Sequence, residues 1–113
     1  MSVTIYHNPR CSKSHQTLAL LGEHGIEPDV IEYLETPPSA LELKNILAML
    51  SIGPRDLLRK KEAKEAGLND PALGDGALIE AMAANPIVIE RPIVVKNGKA
   101  ALGRPPESVI DIL

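Results

Sequence analysis

The chain contains no phenylalanine and no tryptophan, and its only tyrosines are Tyr6 and Tyr33. Single-stranded nucleic-acid binding rests on aromatic stacking platforms, so that class of function is disfavoured from the outset. A basic surplus is missing too: 12 Lys and Arg stand against 15 Asp and Glu, for a net charge of -3. General nucleic-acid and membrane-surface binders carry the opposite balance, so neither partner is expected and any anion site must be local. No run approaches the roughly 18 apolar residues of a membrane span. The opening "MSVTIYHN" has neither the basic nor the apolar part of a leader, and the expected compartment is the cytoplasm. Cysteine occurs once, at Cys11, which excludes an internal disulfide and means that thiol chemistry needs a sulfur from outside. With no Cys/His cluster of ligand spacing, no bound metal or cofactor is expected.

What is present suits one domain. A chain of 113 residues, 44% hydrophobic, buries roughly 65% of its unfolded surface on folding, with Leu, Ile, Val, Ala and Met forming the core. "SVTIY" (Ser2 to Tyr6) predicts a β-branched strand running into the turn residues "HNP". A helix is expected from Cys11 or Ser12 to about Glu23, stopped by Gly25 in a left-handed cap, and "PDVIEYL" predicts a second strand. Strand, helix, strand implies a right-handed crossover and a parallel pair. Ser39 and Glu42 have capping-box spacing, and Leu43, Ile46, Leu47 and Leu50 form one apolar helical stripe. "PRDLLRKK" predicts a second short helix begun by Pro54, "EAKEAGLNDPALGDG" a helix end and loop, and Asp75 the cap of a third helix to about Ala84. "RPIVVKNGKAALG" then reads as two strands joined by Asn97-Gly98, a strong hairpin signal, before a small helix entered through Pro105-Pro106. The expected architecture is α/β: a mixed four-stranded sheet with flanking helices and a helical insert at about 39–85, in one domain covering 1–113.

Cys11 admits two readings. A lone free cysteine is commonly a small buried hydrophobe. This one, however, follows a strand and opens a helix, where the dipole and exposed N–H groups favour an anion and lower thiol pKa values. A drop of two units from about 8.5 raises the thiolate fraction at pH 7 from about 3% to about 75%. His7 and Arg10 stand close enough in sequence to add positive charge. Ser14 occupies the position where dithiol reductases carry a second cysteine, so a resolving thiol must come from glutathione or a partner protein. The Ser14 hydroxyl either donates to a bound oxyanion or to the thiolate, or satisfies backbone groups in the first helical turn.

Of five arginines, Arg59 in "DLLRKK", Arg91 in "IERPIVV" and Arg104 in "LGRPPE" lie in tight local settings. If they converged on Cys11, their planar, permanently charged donors would hold a tetrahedral oxyanion against the thiolate. Together, "TIYHNPRCSKS", "LLRKKE", "NPIVIERPIVV" and "GRPPESVIDIL" make the chain resemble the glutaredoxin-linked arsenate reductases of the thioredoxin-fold superfamily over essentially its whole length. The resemblance implies a thioredoxin-like fold, Cys11 as the catalytic cysteine, and His7 as the histidine that depresses its pKa. It likewise implies Arg59, Arg91, Arg104 and Ser14 as oxyanion-binding residues and a cis peptide before Pro92. Glutathione is then the co-substrate, glutaredoxin the partner and arsenate or a similar oxyanion the substrate of a monomeric enzyme. The chain departs from well-known members at Ser12-Lys13, where a smaller Gly-Thr-like pair is familiar, and in ending at Leu113. Two alternatives share the fold: a glutathione-dependent thiol reductase with another substrate, and an Spx-like regulatory binding module, against which the Cys11-x-x-Ser14 pattern counts.

Overall fold

The β-branched run near the N-terminus forms β1 (Val3–His7), the inner strand on which the sheet is built. The structure, a computed structural model, describes residues 3–113; the predicted first residue of this strand, Ser2, lies outside them. Two compact units are present, one comprising the chain up to Thr36 together with Arg91–Leu113, the other Pro37–Glu90.

In the first unit β1 leads through a short loop to α1 (Ser12–Glu23) and then to β2 (Asp29–Glu32), which pairs with β1 in parallel. Gly25 (φ +73) follows the C-cap His24. There Gly25 N–H donates to Gly22 O and Ile26 N–H to Leu21 O, the paired bonds of a Schellman motif. β3 (Ile93–Lys96) runs antiparallel to β1, and β4 (Lys99–Leu102) antiparallel to β3, giving the sheet order β2-β1-β3-β4. Asn97 (φ 54) and Gly98 (φ 74) are both left-handed, as a two-residue type I′ hairpin requires. A 3-10 helix (Pro106–Ile112) closes the chain. One face of the sheet is covered by Leu21 of α1 and Val109 of that last helix, packed with Val3, Ile5 and Val94 in a fully buried cluster.

The second unit contains α2 (Ala40–Leu50), α3 (Lys60–Glu65), α4 (Asp75–Ala84) and 3-10 turns at Pro54–Leu57 and Pro86–Val88. Ser39 and Glu42 form the expected capping box at the start of α2. Leu43, Ile46 and Leu47 are buried as the stripe predicts, while Leu50 is half-buried.

Three boundaries differ from expectation. The second strand stops at Glu32, because Glu35 and Thr36 N–H groups fold back onto Glu32 O. Gly74, and not Asp75, is the N-cap of α4, and Asp75 sits in its first turn, where a carboxylate still favours the dipole. The single helix predicted over "PRDLLRKK" is broken: Pro54–Leu57 is 3-10, and Leu58 and Arg59 are extended before α3 begins. Leu58 bridges antiparallel to Ile89, with Arg59 N–H donating to Val88 O and Glu90 N–H to Leu57 O, both at 2.7 Å. A partner 31 residues away leaves no mark in local periodicity.

The buried cluster predicts a sharp contrast. Ile5→Ala removes a fully buried side chain and should cost about 2–5 kcal/mol. Val30→Thr alters a half-exposed one and should stay within about 0.5 kcal/mol. Urea unfolding measures both; an Ile5→Ala loss as small as that of Val30→Thr contradicts the assigned core.

Candidate active site

Strand register decides what gathers around Cys11. Tyr6 pairs with Ile93, and Ile93 with Leu102, so the end of β1, the start of β3 and the end of β4 lie at the same end of the sheet. The loop after β1 carries Cys11, the residues just before β3 are Arg91-Pro92, and the residues just after β4 are Gly103-Arg104. Two of the three arginines are thereby delivered to the cysteine by antiparallel pairing alone.

The cysteine loop is held by its own polar groups. Cys11 N–H donates to Asn8 O at 3.0 Å, Arg10 N–H donates to Asn8 Oδ1 at 2.9 Å, and His15 Nε2 donates to Pro9 O. Cys11 is the N-cap of α1, in extended conformation and half-buried. That position faces the unsatisfied amides of the first helical turn. Burial pushes the thiol pKa up, but the amides of Ser14 and Lys13, the Arg91 side chain and the Arg104 charge outweigh it. The net shift is downward from the ordinary thiol value. Arg104 Nη2 donates to Cys11 Sγ at 3.5 Å, and its Nε donates to Arg91 O at 2.7 Å. The second bond anchors the guanidinium that makes the first. The Arg10 side chain is exposed, and the Arg10 backbone N–H ties the loop to Asn8.

His7 and Ser14 are bonded to each other. His7 closes β1 opposite Glu32 and is buried, with its Nδ1 2.6 Å from Ser14 Oγ. Its pKa is lowered, first by burial and then by His15, against the opposing Glu32 carboxylate, so burial works against a positive charge on His7. The His15 ring stands edge-on to it, with centroids 5.0 Å apart. Ser14 is fully buried, and its hydroxyl also accepts from Asn8 N–H at 3.0 Å. The hydroxyl therefore locks the loop to His7, and the amide of Ser14 is the group that acts on Cys11.

The Arg91-Pro92 and Arg104-Pro105 peptide bonds are both cis. Gly103 was not singled out by its sequence setting, yet the site depends on it. Its N–H donates to Pro92 O at 2.9 Å. A Cβ there would run into Thr17 Oγ1 and come within 2.7 Å of Pro92 Cγ. Thr17 is fully buried and donates its hydroxyl to Lys13 O at 2.8 Å, so it has little freedom to withdraw. A glycine directly before Arg104 was the available signal.

Arg59 belongs to the other unit, where it is the N-cap of α3 and pairs with Glu62 at 2.9 Å and Glu90 at 3.5 Å. Among the described residues, no three His, Cys, Asp or Glu side chains are grouped so as to hold a metal ion, and no helix is long and apolar enough to cross a membrane.

Two outcomes follow for the thiol. Alkylation of Cys11 followed against pH should give a midpoint below the ordinary value of about 8.5, and Arg104→Ala should move it upward, since losing a cation disfavours the anion. Gly103→Ala should destabilise the chain by about 1–3 kcal/mol and raise the same midpoint by displacing Arg104. A native midpoint at or above the ordinary value would contradict the electrostatic assignment.

The ArsC family model matches residues 6–112. The chain is 55% identical over 114 residues to the Escherichia coli K12 protein named "Uncharacterized protein YfgD", covering 98% of this chain and 96% of that protein. It is 48% identical to an arsenate reductase of Neisseria meningitidis serogroup A, covering 98% of this chain and 97% of the relative. The solved arsenate reductase of Vibrio cholerae superposes with a TM-score of 0.96 at 56% identity, covering 100% of this chain and 98% of that one. A family match across nearly the whole length, with the cysteine loop and both arginine turns inside it, places the chain in the ArsC family.

Proposed function

We propose that the protein is an arsenate reductase that uses glutathione and glutaredoxin. The observation that carries this reading is the Cys11 sulfur at the start of α1, with Arg104 donating to it and Arg91 lowering its pKa. A nucleophile with permanently charged, planar donors beside it suits attack on a tetrahedral oxyanion. Relatives named arsenate reductase at 48% and 47% identity support the choice of arsenic.

In the proposed reaction, Arg91 and Arg104, with Arg59 assigned by family pattern, hold arsenate. The Cys11 thiolate attacks As(V); an S–As bond forms, an As–O bond breaks and the oxygen departs as water after protonation. Glutathione displaces a second oxygen as water, leaving arsenic bonded to both sulfurs. The glutaredoxin thiolate then attacks the glutathione sulfur. The As–S(glutathione) bond breaks with its electron pair remaining on arsenic, which becomes As(III), and a glutaredoxin–glutathione disulfide forms. Water releases arsenite and restores Cys11. The supply of both external thiols answers the absence of a second cysteine. In this scheme Cys11 and the arginines touch substrate, whereas His7 acts through Ser14 to fix the loop.

Arsenate-dependent NADPH oxidation, coupled through glutathione, glutaredoxin and glutathione reductase, tests the proposal. Cys11→Ser should abolish turnover, and Arg91→Ala and Arg104→Ala should each lower kcat/KM by about 10- to 100-fold, the scale of a lost charged hydrogen bond. Turnover surviving Cys11→Ser rejects the mechanism. Brisk reduction of glutathionylated substrates without arsenate turnover would favour a thiol reductase instead.

A further inference from the structure

Arg59 is gripped from two sides within the Pro37–Glu90 unit. Its Nε donates to Glu62 Oε2 at 2.9 Å, and its Nη1 donates to Glu90 Oε1 at 3.5 Å. The two carboxylates come from different parts of the chain, Glu62 from the first turn of α3 and Glu90 from the segment that leads into Arg91. The backbones beneath them cannot slide. Arg59 N–H to Val88 O and Glu90 N–H to Leu57 O, both 2.7 Å, flank the Leu58–Ile89 bridge. Leu58 is 9% exposed and Ile89 2%, so burying this pair holds the bridge in place. The three charged side chains are themselves only 27%, 17% and 25% exposed for Arg59, Glu62 and Glu90.

Charge and geometry make opposite demands here. One guanidinium and two carboxylates sum to a formal charge of -1 (+1 - 2), which by Coulomb attraction alone weakens any anion site that includes Arg59. A planar guanidinium bonded through both Nε and Nη1, however, is held in a fixed plane, the feature that makes arginine a directional oxyanion ligand.

We propose that Glu90, together with Glu62, is a positioning residue for Arg59, fixing the plane of the guanidinium that takes the oxyanion. The inference rests on the arsenate reductase reading. It gives the Ile89-Glu90-Arg91 segment two tasks: its carboxylate orients one arginine, and the next residue supplies the guanidinium beside Cys11.

Arsenate kinetics of the full chain, compared across wild type, Glu90→Gln, Arg59→Ala and the double variant, test it. Glu90→Gln should raise the KM for arsenate about fivefold, the scale of a partly exposed ion pair, with kcat nearly unchanged. In the Arg59→Ala background the same change should leave KM within about twofold, because a positioning residue has no effect once the group it positions is gone. A fall in KM on Glu90→Gln would show that the carboxylate merely offsets charge, and a rise equal in both backgrounds would show a general structural role. Either result overturns the proposal, as does an unchanged KM. Wild type without arsenate turnover would reject the enzymatic reading instead. The same four-way comparison is then read from equilibrium binding of inorganic phosphate, where Glu90→Gln should weaken binding about fivefold only when Arg59 is present.

Discussion

The site depends on lowering the pKa of a partly buried sulfur. Burial by itself raises the Cys11 pKa, and it is the largest single influence on that group. The amides of Ser14 and Lys13, the Arg91 side chain and the Arg104 charge work against it. The helix begins at the residue after Cys11, so that its first amides face the sulfur. The loop folds back on Asn8, and two separate turns bring Arg91 and Arg104 alongside. None of these donors is strong enough alone to outweigh desolvation. Their sum is, because the helix start, the entry to β3 and the exit from β4 share one end of one sheet.

Burial disfavours a charge on His7 as well. A cation there would have to be desolvated at the end of β1, beside His15, with only Glu32 in its favour. The ring secures Ser14, whose hydroxyl is also bonded to Asn8. Ser14 is then held by its side chain while its amide serves the sulfur. Electrostatic support for the thiolate comes from groups that cannot lose a proton near neutrality, namely amides and guanidinium groups. His7 is not among the groups that lower the Cys11 pKa.

Much of this was legible before the structure. Local signals located the strand-loop-helix start, the capping box at Ser39 and Glu42, and the Asn97-Gly98 hairpin, because each is written in adjacent residues. The hairpin mattered most, since it implies the antiparallel return that carries Arg104 back toward Cys11. What failed was non-local. The break of the "PRDLLRKK" helix depends on Ile89, and the lowered His7 pKa on its burial at the end of β1 against the pull of Glu32. The need for glycine at 103 depends on Thr17 and Pro92, which no spacing rule connects to it.

The proposed chemistry also separates recognition from selectivity. Arsenate and phosphate share a tetrahedral shape and a similar charge, so donors such as Arg91 and Arg104 can fix orientation without telling the two apart. Discrimination then falls to the step after binding. An As–O bond yields to a thiolate and As(V) accepts two electrons from thiols, whereas phosphate has no comparable route to a lower oxidation state. A site of this kind needs no contact that rejects phosphate. Its selective element is the sulfur itself, which is why so much of the surrounding structure is committed to holding that sulfur in its reactive form.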